Sequence, residues 1–132
     1  MSAQDPRPGE DHIRRTKKLV EILLPPLREI ARRHGYALAV HGSLERDIDL
    51  IAVPWREGPS CALDLVTNFY ALCEAVHGHA TGPGGWRIGM DFEPPTGSLF
   101  NPTPKPHGRL GWIIQIGAHY LDGSVMPLVP MG

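Results

Sequence analysis

The chain has 132 residues with 13 basic and 14 acidic side chains, for a formal net charge of −1 at pH 7. That length supports a single packed core and is too short for two ordinary domains. Near-balanced charge excludes a broad, salt-sensitive surface for DNA or an anionic membrane.

The first ten residues carry Pro6, Pro8 and Gly9 and read as a frayed leader (1–10), with one domain over 11–132. They hold no apolar signal-peptide core, and no later run is long enough to span a bilayer, so a soluble, cytoplasmic protein is expected. From Asp11, Leu19, Val20, Leu23, Leu24, Leu27, Ile30 and Ala31 recur at three-to-four-residue intervals, the period of an amphipathic helix. Pro25 and Pro26 interrupt it, and a proline inside a helix costs roughly 3 kcal/mol, so a kink or a restart is expected there. Gly35, after Arg32, Arg33 and His34, ends the helix.

Tyr36 to His41 reads as a first strand that delivers the chain to Gly42 and Ser43. Asp47 to Val53 reads as a second, closed by Pro54. Ser60 is the expected N-cap of a helix carrying Leu65, Val66, Phe69, Leu72, Cys73 and Val76 on one face and stopped by Gly78. Cys61 and Cys73 fall in that helix, too far apart to pair within it and in no zinc spacing, and read as buried thiols. Between Gly78 and Gly108, Gly and Pro predict a long irregular excursion, with a short strand candidate at Trp86 to Phe92. Arg109 to Ile116 and Tyr120 to Met126, separated by Gly117, Ala118 and His119, predict a β-hairpin. The order implies an α+β domain, a small mixed β-sheet with helices packed on one face.

The chemistry concentrates in HGSLERDIDLIAVPW, residues 41–55. Asp47 and Asp49 are two apart in a strand, so their carboxylates share a face. Asp is depleted in strands and two carboxylates repel, which points to a divalent cation between them or to a basic neighbour such as Arg46. Asp122, in the apolar run YLDGSVMP, is the candidate third carboxylate if its strand lies beside Asp47–Val53, and Asp91 is the runner-up. Three such carboxylates suit Mg²⁺ binding and general-base work. Gly42 and Ser43 allow close backbone approach to a phosphate, His41 adjoins them, and Lys105, His107 and Arg109 of KPHGR are within reach of nucleotide phosphates. His77 and His79 read as surface residues at a helix end.

Strand, Gly42-Ser43, Asp47-Ile48-Asp49-Leu50 and a late strand Asp122 together resemble the nucleotidyltransferase superfamily of polymerase-β-like and minimal nucleotidyltransferases. The resemblance implies that Gly42 and Ser43, with Lys105 and Arg109, hold the phosphates of a nucleoside triphosphate. It also implies that Asp47, Asp49 and Asp122 bind two Mg²⁺ ions and are the catalytic residues, and that a nucleotidyl group passes to an acceptor hydroxyl. The acceptor expected is a protein or small molecule rather than DNA. The chain also resembles small phage and prophage proteins of unassigned function, which implies the cytoplasm of a bacterial host or phage-infected cell. The family's short helix between Gly-Ser and the paired aspartates is replaced here by Leu44, Glu45 and Arg46. That departure supports an alternative, a catalytically inactive binding protein acting through protein contacts, with Trp86, Phe92 and Phe100 as anchors on an exposed loop. A metal-dependent phosphohydrolase is a weaker third reading, since no histidine-rich metal set accompanies the carboxylates.

Overall fold

The computed structural model describes residues 8–41, 47–91 and 93–127. The fold is α+β, a five-stranded mixed sheet with two helices. Helix α1 spans Pro8–Arg33, strand β1 Tyr36–His41, strand β2 Asp47–Pro54 and helix α2 Ala62–His77. Strands β3 (Thr103–Pro104), β4 (Leu110–Ile116) and β5 (His119–Val125) follow. Their order across the sheet is β1-β2-β5-β4-β3. Among the described strands, β2 and β5 pair parallel and the other pairs are antiparallel.

Alternation along the strands decides which face the helices cover. Tyr36 and Leu38 of β1, Ile48, Leu50 and Ala52 of β2, Leu121 and Val125 of β5, and Trp112, Ile114 and Ile116 of β4 are all buried on one face. Against them lie Leu23, Leu27 and Ala31 of α1 and Leu65, Val66, Phe69 and Cys73 of α2. Each fully buried Leu or Ile here contributes about 1.5–3 kcal/mol. Both helices therefore sit on one side, and among the described residues no helix covers the opposite face of the sheet.

Several local details differ from the sequence expectation. Helix α1 begins at Pro8, inside the stretch expected to fray, and proline suits a first helical turn because its missing N–H has no partner there. It runs unbroken through Pro25 and Pro26, with no restart. The carbonyls these prolines leave unbonded are those of Glu21 and Ile22, both exposed residues where water can take the bond, while Leu23 and Leu27 anchor the flanking turns in the core. Cys61, not Ser60, caps α2, and its side chain makes no capping hydrogen bond. Ser60 is drawn back to α1 and β1, where its N–H bonds the His34 carbonyl (2.8 Å) and its carbonyl accepts from the Tyr36 hydroxyl (2.7 Å). Cys61 is exposed, contrary to the expectation of two buried thiols; Cys73 is buried, and burial pushes its thiol up to about 12.

No strand forms at Trp86 among the described residues; Phe92 lies outside them. The Trp86 backbone instead closes a tight turn at Pro83–Gly85, and its indole enters the core at 4 % exposure. The excursion covers the outer edge of β4 in three separate touches: Thr81 on Gln115, Gly97 on Ile113, and β3 on Gly111 and Leu110. The β4–β5 hairpin turn needs two residues, since Ile116 pairs with His119. Gly117 at φ +62° followed by Ala118 at negative φ matches the turn type whose twist suits a hairpin.

Candidate functional site

Register brings the chemistry of the open face into one row. His41 lies opposite Asp49 across the β1–β2 pair, Asp49 opposite Asp122 across the β2–β5 pair, and Asp122 opposite Ile113 across the β4–β5 pair. Directly opposed residues share a face, so His41, Asp49 and Asp122 stand side by side. Asp47, two residues before Asp49, joins them from the next row, opposite Tyr120. The condition set for Asp122 is met: its strand lies beside the paired aspartates. Asp47, Ile113, Tyr120 and Asp122 line a concavity of about 240 Å³.

Lys105 reaches this row from the far side. The loop after β3 is closed by the Lys105 N–H on the Arg109 carbonyl (2.9 Å), with His107 at φ +66° and Gly108 at φ +74° making the reversal. The Lys105 side chain then crosses β4 over Gly111, where a Cβ would meet its Cε at 2.5 Å. Its ammonium ends 3.5 Å from Asp122 Oδ1 and 3.3 Å from Ser124 Oγ, to which it donates. Gly111 is thus the floor that lets a cation reach Asp122.

The electrostatics follow from this packing. Burial first, then the facing Asp122 carboxylate, raise the Asp49 carboxyl above its ordinary value, and Asp47 adds to the rise; His41 and Lys105 act in the opposite sense. Three carboxylates gathered on one half-buried patch, offset by one lysine and one histidine, leave negative potential that a cationic ligand would relieve.

Other expected residues are placed differently. Arg109 is held within its own loop, its Nε donating to the Pro106 carbonyl at 3.2 Å. Asp91 is exposed. Gly42, Ser43 and Arg46 lie outside the described residues, as does Phe92. Trp86 is buried rather than presented as a loop anchor, and Phe100, 53 % exposed, packs edge-on against it at 5.9 Å. Tyr120, Ile113 and Ser124 belong to the site without having been singled out from the sequence. The period-two alternation of β5, which puts Tyr120, Asp122 and Ser124 on one face, was the signal that could have found two of them.

Among the described residues, no three His, Cys, Asp or Glu side chains form a group that could hold a metal ion unaided. Magnesium ordinarily needs only one or two carboxylates, with water and substrate phosphate completing its shell, and this donor set fits that pattern. No helix among the described residues is long and apolar enough to cross a membrane. Set against models of known protein families, curated proteins and solved structures, the chain gives no match.

Proposed function

We propose that this chain has a nucleotidyltransferase-like fold and is a small magnesium-dependent nucleotidyltransferase. The observation that carries the reading is the pairing of Asp49 with Asp122 across the parallel strands, on the face opposite α1 and α2, with Asp47 alongside. Asp47 and Asp49 would hold magnesium with water and phosphate oxygens completing its shell, Asp122 would serve a second ion or act as base, and the metal would supply charge stabilisation to a bound triphosphate. The acceptor hydroxyl oxygen forms a bond to the α-phosphorus, the bond to the β-phosphate oxygen breaks, and pyrophosphate leaves. A carboxylate of the row, proposed to be Asp122, takes the hydroxyl proton. Lys105 offsets charge on the phosphates once it leaves Asp122, and Gly42 and Ser43 are proposed from sequence alone to cradle them. Arg109 would join only if its bond to Pro106 opened. The acceptor is proposed to be a protein or small molecule, and the compartment the cytoplasm.

Isothermal titration with each nucleoside triphosphate, with and without Mg²⁺, tests this. Magnesium-dependent binding that vanishes in Asp49→Asn is the expected outcome. Equal binding in both proteins would remove the reading.

A second reading is a catalytically silent relative that binds another protein. What favours it is Lys105, a tethered cation already 3.5 Å from Asp122. Capture of a stoichiometric partner by both the parent and an Asp49→Asn, Asp122→Asn variant, without nucleotide binding, would select it.

A further inference from the structure

A second cluster of charge lies on the helix side of the sheet and plays no part in the site above. The segment from residue 12 to 18 holds Arg14, Arg15, Lys17 and Lys18 and no acidic residue, in a chain of net charge −1. Folding brings the β4–β5 turn and the end of α2 against it. Arg15, Lys18, Leu19 and Ile22 of α1, His77 of α2 and His119 of β5 line one groove of about 230 Å³. His77 closes it, its Nε2 lying 3.0 Å from where a Cβ on Gly117 would stand.

Thr16 fixes His119. It is fully buried, its hydroxyl donates to the His12 carbonyl (2.9 Å), and its Oγ stands 3.0 Å from His119 Nδ1. With the hydroxyl proton given away, Oγ can only accept, so Nδ1 carries the ring proton and Nε2 is left for another partner. The His12 ring stacks on His119 at 4.5 Å, which holds its plane. Burial first, then His12, Arg15 and His77, disfavour a charge on His119. Arg15, Lys18 and the His77 and His119 rings bring like charges together, and the Arg15–Asp11 ion pair beside the groove (3.1 Å) is largely solvent-exposed and weak.

We propose that this groove is a binding site for a phosphate group carried on an apolar or aromatic body. Arg15 and Lys18, one turn apart, meet the anion, with His77 as a further donor and His119 Nε2 accepting from the phosphate's own hydroxyl. Leu19 and the half-exposed Ile22 meet the body. The site is separate from the aspartate row, which lies on the other face of β5, and does not depend on nucleotidyl transfer.

The test is NMR of the histidine ring signals in the full chain with chelator present, titrated with inorganic phosphate and with a nucleoside monophosphate. The expected result is saturable movement of the His119 and His77 signals, tighter for the monophosphate, with affinity at least about tenfold weaker in Arg15→Gln, Lys18→Gln. Asp49→Asn should titrate like the parent. Both substitutions in the groove lie at exposed helix positions, so the variant's fold can be checked by its parent-like melting. No response to either probe, equal affinity for the two, or undiminished binding in the double variant would overturn the proposal.

Discussion

The two faces of strand β5 use alternate residues of one short segment for opposite ends. Leu121 and Val125 go under the helices and are 2 % and 5 % exposed; Tyr120 and Asp122 go to the open face beside Asp47 and Asp49. The covered face is complementary in shape and chemistry, so any loss there is a loss of stability. The open face collects like charges, which no folding argument requires, so changes there should affect binding more than stability. A strand with only one helix-covered side can serve both ends because its period of two keeps the two sets apart.

That contrast can be broken by substitutions on either side. The largest effect is expected from Leu50→Ala in central β2, where a 2 % exposed side chain leaves a cavity and about 2–5 kcal/mol of stability is lost in urea unfolding. A loss well under that range would mean the core collapses around the gap. Asp49→Asn, the adjacent residue on the other face, should abolish magnesium-dependent nucleotide binding yet melt no lower than the parent, because it removes a carboxylate that its neighbours repel. A lower melting temperature would show the row to be structural.

The same carboxyl sets a pH dependence. Its folded value is raised above the ordinary 3.8, so the folded state holds that proton more tightly than the unfolded chain does. The stabilising contribution is fully present below the unfolded value and is lost as pH rises through the folded one. Parent stability should therefore fall relative to Asp49→Asn as pH rises from below 3.8, and parallel urea midpoints across that window would refute the assignment. The smallest stability effect is expected for Gly111→Ala. Its Cβ meets only the flexible end of Lys105, so stability should change by less than about 1 kcal/mol while the lysine is displaced from Asp122. Amine labelling of Lys105 should then speed up; an unchanged rate would mean the lysine keeps its route.

What the sequence made legible follows from the range of each cause. Strand β1 was read to its observed ends and β2 to within one residue, because alternation and a terminal proline are local. Gly78 was read as the stop of α2, and it adopts φ +86°. The neighbourhood of Asp49 and Asp122 could be posed only as a condition, since it depends on which strand docks beside β2. The unbroken passage of α1 through two prolines was not legible, because the core contacts of Leu23 and Leu27 decide it. Nor was the crossing of Lys105 over Gly111, where the absence of a side chain matters only once β3 has placed the lysine. The groove of Arg15, Lys18, His77 and His119 draws on three elements, and the basic run of α1 was its single local trace.

The parallel junction of β2 and β5 has a kinetic consequence. It joins Asp49 to Asp122, 122 − 49 = 73 positions apart, with α2 and the whole excursion between them. Such pairing closes a long loop before it is rewarded, which makes it a slow step in folding. The first helix and the β1–β2 pair can associate early from nearby segments, leaving the inner edge of β2 open until the hairpin arrives. The aspartate row thus comes into existence only at the last closure, and a ligand that bridges the two strands would bind completed chains alone, drawing the folding equilibrium toward them.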